Sequence, residues 1–308
     1  MKIVYMGTPD FSVEPLKRLL EIKGVEILAV VCNNDKPFGR KQILTPPPVK
    51  VLALEKGLKV LQYDKIRIQG VEDLKKLNPD VIVTCAFGQI LSQEIIDIPK
   101  YGVLNIHASL LPKYRGASPI HYAVLNGEKQ TGITIMKTDI GIDTGDIIYQ
   151  RVVEIGEEET TGELFDRLSI VGAECIEKVI TDLLLGKQLQ LIKQDEDRAT
   201  LTKMIKKEQA EIDFNVDAKT VVNQIRAFNP APVAYTFYKG EKFKIYSASV
   251  SDKKGNVGEV LSNNKEIIVG CKNGSISLKT VQKSGGKAMD IKSFLLGNKI
   301  EVGERFGL

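Results

Sequence analysis

Two stretches decide the fold: Asp80-Val-Ile-Val-Thr-Cys85-Ala-Phe87-Gly88-Gln89-Ile90-Leu91 and Val103-Leu-Asn105-Ile-His107-Ala-Ser109-Leu110-Leu111-Pro112-Lys-Tyr-Arg-Gly116. Each starts as an apolar run, rich in β-branched residues, and breaks into a loop containing Gly or Pro. A run without polar alternation reads as a strand buried on both faces, as in a parallel sheet covered by helices. Residues 2–6 and 25–31 read the same way, and amphipathic stretches at 12–22, 49–56 and 71–77 lie around them. This alternation predicts an α/β domain with a mostly parallel sheet. Residues 131–138 and 146–155 then read as two strands joined by a loop at 139–145, and 161–185 as a long helix. Thr160 or Thr161 is placed to cap that helix, with Glu163 in its first turn.

The pattern changes after about Leu191. Residues 193–211 are polar and dense in charge, as expected of a connector. A short helix at 218–228 stops before Asn229-Pro230. Five strand-like runs follow, at 233–238, 242–251, 258–261, 266–271 and 275–281, with Gly- and Asn-bearing turns between them. Five short strands and little helix predict a small antiparallel barrel of OB type. The 308 residues are therefore expected to divide into a first domain at 1–192, a linker at 193–213 and a C-terminal domain at 214–308.

Composition narrows the class. Hydrophobic residues at 43% and charged residues at 27% are the balance of an ordinary soluble globular protein. No apolar run approaches the roughly 20 residues needed to cross a bilayer. Met1-Lys-Ile-Val-Tyr-Met-Gly7 enters a strand pattern at once, without the order of a secretory leader, so a cytoplasmic location is expected. The four cysteines are scattered and form no C-x-x-C pair, which argues for buried thiols over a disulfide framework or a zinc site. From Met204 onward there are 17 Lys and Arg against 11 Asp and Glu; before it there are 26 against 28. A basic C-terminal domain suggests a polyanionic partner, and a solvated lysine-rich surface is the bland alternative.

The chemistry gathers between Asn105 and Asp146. Both histidines of the chain, His107 and His121, fall here. Asn105 and His107 are two apart near a strand end, so their side chains share a face. Ligands of open parallel sheets collect at the carboxyl ends of the strands. An amide and an imidazole there could both donate to an oxyanion, and the imidazole could exchange a proton with a leaving nitrogen. Closing a strand with two satisfied polar groups is the alternative. Asp143, in Gly141-Ile-Asp143-Thr-Gly145-Asp146, has glycines on either side that would let the backbone approach a ligand. It could orient the imidazole or accept a proton from an attacking amine, or merely bond its own turn. Asp139 and Asp146 are second choices. The first strand leads into Gly7-Thr-Pro-Asp10, which lacks the second and third glycines of a dinucleotide fingerprint and disfavours a dehydrogenase. Residues 33–50 form a long loop carrying Lys36, Arg40, Lys41 and Lys50. Phosphate contact by Arg40 and Lys41 is one reading and a solvated connector the other. Lys203, Lys206 and Lys207 in the connector carry the same pair of readings.

These residues closely resemble the methionyl-tRNA formyltransferase family, along essentially the whole chain. The match includes Gly7-Thr-Pro-Asp-Phe11, Pro37-Phe-Gly39-Arg40-Lys41, Ala86-Phe-Gly-Gln-Ile-Leu91, the 105–116 and 131–146 blocks, Lys206-Lys-Glu-Gln-Ala-Glu-Ile-Asp213, Ile225-Arg-Ala-Phe-Asn-Pro230 and Gly286-Lys-Ala-Met289. The resemblance implies a Rossmann-like formyltransferase domain followed by an OB-like domain. It implies formyl transfer from 10-formyltetrahydrofolate, a co-substrate, to the α-amino group of methionine on charged initiator tRNA, without a metal. Catalysis maps to Asn105, His107 and Asp143. The folate site maps to Ser109, Leu110, Leu111 and Pro112, with Phe87, Gly88, Gln89, Ile90 and Leu91 lining the pterin pocket. tRNA contacts map to Arg40, Lys41, Lys206 and Lys207. A monomer without membrane association is expected. Ala231 stands where the family pattern suggests Trp. The catalytic trio is shared by folate-dependent formyltransferases with other amine acceptors, such as amino-sugar nucleotides; the basic loop and C-terminal blocks point to tRNA. A non-catalytic RNA-binding protein on this scaffold would be expected to lose a member of the trio.

Overall fold

The computed structural model describes residues 1–39 and 41–307. The chain divides into two compact units. The first comprises Met1–Pro119, Thr131–Glu154 and Phe165–Thr202; the second comprises Ile120–Gln130, Ile155–Leu164 and the chain from Lys203 onward.

In chain order the strands of the first unit are β1 (Lys2–Gly7), β2 (Glu26–Cys32), β3 (Lys36–Phe38), β4 (Ile43–Thr45), β5 (Val60–Gln62), β6 (Val81–Cys85), β7 (Val103–His107), β8 (Arg115–Gly116), β9 (Gln130–Lys137), β10 (Ile147–Glu154) and β11 (Leu201–Thr202). Seven of them form one sheet in the order β10-β9-β7-β6-β1-β2-β5. β5, β2, β1, β6 and β7 run parallel, and β9 pairs antiparallel with β7. The unbroken apolar runs are explained by burial: every residue of β6 is buried, and Val4, Met6, Val31 and Ile82 pack with Ile66, Leu74 and Ile95 from the covering helices. Crossing from a parallel strand to its neighbour requires such helices, which is why the amphipathic stretches lie where they do.

Gly7 ends β1 in a close approach, since a Cβ there would lie 2.6 Å from that of Ser12. It serves packing against the turn that follows. The long helix Thr161–Leu184 opens with a capping box: Glu163 N–H donates to Thr160 Oγ1, and the Glu163 carboxylate accepts the Thr160 N–H at 2.9 Å. The four cysteines are buried and free. Burial pushes Cys85 and Cys271 up to about 12 and Cys32 and Cys175 up to about 11, so none presents a thiolate at neutral pH.

One expectation is corrected. Residues 33–50 are not a structureless loop: β3 and β4 pair as an antiparallel hairpin, and a helix begins at Pro48. Lys50 is also not a spare cation. Its Nζ binds both oxygens of Asp35, at 2.8 and 2.9 Å, and Gln62 Oε1 at 2.9 Å.

The second unit holds helix Ala218–Ala227 and strands β12 (Tyr235–Tyr238), β13 (Glu241–Ser251), β14 (Val260–Ser262), β15 (Ile267–Gly270), β16 (Ser275–Lys283) and β17 (Met289–Asp290). The sheet order is β12-β13-β16-β15-β14, antiparallel where paired, with β17 against β16. The register of β13 shifts around Ser247, the irregularity by which a long strand bends. Phe306 bridges to Tyr238 beside one edge strand, and Arg305 to Glu259 beside the other. The end of the chain thus links both edges of a curled sheet, the barrel-like architecture expected from the short strands. Val221, Ile225 and Phe228 fill it together with Phe243, Ile276 and Leu278. His121 lies on helix Pro119–Leu125, its imidazole held toward the neutral form by burial.

Candidate active site

β6 and β7 end side by side, with Thr84 opposite Asn105 and Cys85 opposite Ile106. Asn105 and His107 lie in the last three residues of β7, and Asp143 comes to them from the connection between β9 and β10. Asn105 Oδ1 accepts the Thr84 hydroxyl at 2.9 Å, and Asn105 Nδ2 donates to Asp143 Oδ1 at 3.3 Å. A carboxylate only accepts, so the amide nitrogen must face Asp143 and the amide orientation is settled. Asp143 Oδ2 accepts the Gly116 N–H at 2.8 Å and lies 3.5 Å from His107 Nδ1. On its other side, His107 Nε2 is 2.9 Å from the Tyr114 carbonyl. The three side chains expected to act together are therefore in contact, with the carboxylate between the amide and the imidazole.

Asp143 itself adopts a left-handed backbone, φ +52°. Among non-glycine residues Asp and Asn tolerate that region best. Its neighbour Gly145 is there for space, since a Cβ would fall 1.7 Å from the Lys137 carbonyl oxygen.

The loop after His107 is held just as firmly. Ser109 is fully buried and donates its hydroxyl to the Lys113 carbonyl at 2.6 Å. Leu111 is buried, Leu110 and Pro112 are half-buried, and the Leu111–Pro112 peptide is cis. On the neighbouring loop, Phe87 and Leu91 pack into the core of the first unit, whereas Ile90 is 68% exposed. Gly88 has φ +80°. Gln89 spends its amide on bracing: Nε2 donates to Asn33 Oδ1 and Tyr63 O, and Oε1 accepts Ile66 N–H. Ile140 and Ile142, beside Asp143, are about as exposed as Ile90. Exposed apolar groups beside fixed polar ones suit a flat, partly apolar ligand.

Three residues were not singled out from the sequence. Arg115 is buried and grips Glu196 through two hydrogen bonds, at 2.9 and 2.7 Å. The pairing holds the guanidinium further toward its charged form and pulls the Glu196 carboxyl below its usual range. Gln194 bridges Arg115 to the main chain of the Asp143 loop. The segment carrying these partners runs beside 112–117, with β11 parallel to β8. Arg115 sat inside the quoted motif; Gln194 and Glu196 lay in a stretch whose composition reads as solvated.

Residues 1–180 match the family described as formyl transferase, and residues 204–299 its C-terminal domain. The chain is 46% identical to the methionyl-tRNA formyltransferase of Geobacter sulfurreducens, over all of this chain and 97% of that one. It is 45% identical to that of Bacillus cytotoxicus, over 100% and 99%. The chain belongs to the methionyl-tRNA formyltransferase family. Among solved structures, an N-formyltransferase from Helicobacter canadensis in complex with folinic acid and dTDP-3-aminofucose shares the fold, with a TM-score of 0.70 at 22% identity, covering 92% of this chain and 99% of that one. HypX from Aquifex aeolicus in complex with tetrahydrofolic acid does so with a TM-score of 0.62 at 17% identity, over 98% of this chain and 50% of that one.

Of the basic residues expected to contact tRNA, Lys41 belongs to the first unit and Lys206 and Lys207 to the second. Arg40 lies outside the described residues. Lys41 is exposed beside the β3–β4 hairpin, and Lys206 and Lys207 are exposed at the start of a 3₁₀ turn, Lys207–Ala210. Among the described residues no cluster of three or more His, Cys, Asp or Glu is placed to hold a metal ion, and no helix is long and apolar enough to cross a membrane.

Proposed function

We propose that this chain transfers the formyl group of 10-formyltetrahydrofolate to the α-amino group of methionyl initiator tRNA, giving N-formylmethionyl-tRNA for translation initiation. The observation that carries the chemistry is the convergence of Asn105, His107 and Asp143 at the carboxyl ends of β6 and β7. Full-length relatives at 42–46% identity carry the acceptor. When bound, 10-formyltetrahydrofolate supplies an activated formyl carbon. Asn105 Nδ2 has a second hydrogen beyond the one aimed at Asp143, and in this reading that N–H meets charge developing on the formyl oxygen. His107, doubly protonated, donates to the same oxygen through Nδ1 and delivers a proton to the leaving nitrogen as its bond to the formyl carbon breaks, a proton replaced by the one the amine releases through Asp143. The carboxylate of Asp143 supports that imidazolium and accepts the proton released by the attacking amine. An α-amino group with a pKa of roughly 7.7–8.0 is partly neutral at physiological pH, so the site needs to do little to deprotonate it.

In this reading Ser109–Pro112 and Phe87–Leu91 shape the folate pocket. Ile90 supplies exposed apolar surface, while Gln89 and Ser109 hold the walls. Arg40, Lys41, Lys206 and Lys207 contact tRNA phosphates. The working division is a catalytic domain at 1–192, a linker at 193–213 and a tRNA-binding domain at 214–308; the family matches at 1–180 and 204–299 support it. The enzyme acts as a cytoplasmic monomer. The deciding experiment is formyl transfer from 10-formyltetrahydrofolate with Met-tRNA, free methionine and amino-sugar nucleotides as competing acceptors. Transfer to Met-tRNA alone is expected; preference for a sugar amine would overturn the reading.

A further inference from the structure

Asp143 stands in a glycine-flanked turn, where no sheet ladder fixes the backbone. It is held from outside, by a residue 51 positions later. Gln194 Nε2 donates to the Asp143 carbonyl at 2.8 Å and to the Gly145 carbonyl at 2.7 Å. The amide is oriented by Arg115, whose Nε donates to Gln194 Oε1 at 2.9 Å. Arg115 is only 4% exposed, and the two remaining arms of its fork end on Glu196. An arginine only donates and a carbonyl only accepts, so the Gln194 amide has a single orientation that satisfies all its neighbours. The same segment also reaches the side chain, because Gly116, next to Arg115, gives its N–H to Asp143 Oδ2. A left-handed backbone at a non-glycine residue persists only where its surroundings over-determine it. Here the anchors on the carbonyls of residues 143 and 145 do so.

We propose that Gln194 is a positioning residue for formyl transfer: it holds the Asp143 turn so that the carboxylate lies between Asn105 and His107, and the Arg115–Glu196 pair keeps Gln194 in place. The inference rests on the reading of Asp143 as a catalytic group. Residues that composition assigns to a connector are then part of the catalytic apparatus. A displacement of about 1 Å in a catalytic group costs on the order of 100-fold in rate. Gln194→Met keeps the length of the side chain and removes its donors and acceptor. It is expected to lower kcat by roughly 10- to 100-fold while KM for Met-tRNA and for the folate stays near wild type.

The test is a double-mutant cycle in formyl transfer, read as single-turnover rates, on the wild type, Gln194→Met, Asp143→Ala and the double variant, with thermal melting as the control for folding. The proposal expects Gln194→Met to melt cooperatively, to lose rate in the wild-type background and to lose nothing further in Asp143→Ala. A wild-type rate in Gln194→Met, or an equal loss in both backgrounds, overturns it. Full activity in Asp143→Ala overturns the assignment of Asp143 instead. If Gln194→Met does not melt cooperatively, Glu196→Ala takes its place, at the exposed end of the relay, where the carboxylate is 69% exposed. It is expected to lower the rate several-fold in the wild-type background only, and equal losses in both again overturn the proposal.

Discussion

His107 Nδ1 stands 3.5 Å from Asp143 Oδ2, longer than an ordinary N–H···O bond, while His107 Nε2 is 2.9 Å from the Tyr114 carbonyl. Both ring nitrogens thus face acceptors, an arrangement that satisfies the two donors of an imidazolium. The Tyr114 carbonyl takes one of them fully. The looser Nδ1 donor is the one with freedom to turn toward a substrate oxygen, and Asn105 beside it has its own second hydrogen. Removing one oxyanion donor typically costs ~10²–10³ in kcat. Asn105→Ala and His107→Ala are each expected to lose at least about that much in steady-state formyl transfer. Near-normal turnover in either would remove that residue from the mechanism.

A second expectation concerns the hairpin and its basic neighbours. Arg40→Ala should raise KM for Met-tRNA and leave folate affinity unchanged, because a phosphate contact positions the acceptor without touching the donor. Loss of one phosphate contact should also reduce the slope of log affinity against log salt by roughly 0.9. Binding of Met-tRNA measured between low and moderate salt checks both; a slope identical to wild type would exclude a phosphate contact by Arg40.

The parallel sheet was legible because its strands are buried on both faces, which forces continuous β-branched runs such as Val81–Cys85. The trio was legible because Asn105 and His107 interrupt the apolar run of β7 at its carboxyl end and Asp143 stands between glycines in the β9–β10 connection. What escaped was carried by single side chains acting over distance. Gln194 reaches Asp143 across 51 residues, and such a bond leaves no periodicity to read. Lys50 looks like a free cation until Asp35, 15 positions earlier, is found on its ammonium. The β3–β4 hairpin has strands of three residues each, shorter than any window in which alternation can be recognised.

The acid side of the stability profile should carry the mark of Glu304. Lys239, Tyr238 and the Glu301 N–H all bond its carboxylate and pull it down to about 2. A carboxyl with a depressed folded-state pKa stabilises the fold fully above its unfolded value of roughly 4.3, and that contribution is lost as pH falls toward the folded value. The Glu304→Gln variant should therefore show a smaller loss of melting temperature between about pH 4.5 and pH 2 than the wild type. Parallel melting curves across that range would show that the cluster contributes nothing. The group is solvent-accessible, so added salt should shrink the difference.

Arg226 offers the sharpest stability prediction. It is 7% exposed, and its guanidinium donates to the Gly156 carbonyl at 3.0 Å, to the Glu159 carbonyl at 3.3 Å and to Asn223 Oδ1 at 3.1 Å. Burial itself works against the charge, lowering the tendency of the guanidinium to hold its proton. A net benefit therefore depends on those acceptors, each of which would lose a charge-assisted donor if the arginine were removed, the Gly156 carbonyl keeping the Glu159 N–H at 3.2 Å. Unsatisfied buried acceptors cost ~1–3 kcal/mol apiece, partly offset by relief of the desolvated charge. Arg226→Ala is accordingly expected to destabilise by about 2–4 kcal/mol, read as a fall in the urea midpoint at unchanged slope. Arg226→Lys should recover little of this, because one ammonium cannot reproduce a planar fork that spans separate acceptors. A lysine variant as stable as the wild type would mean that charge alone, and not the geometry of the fork, holds this part of the second unit together.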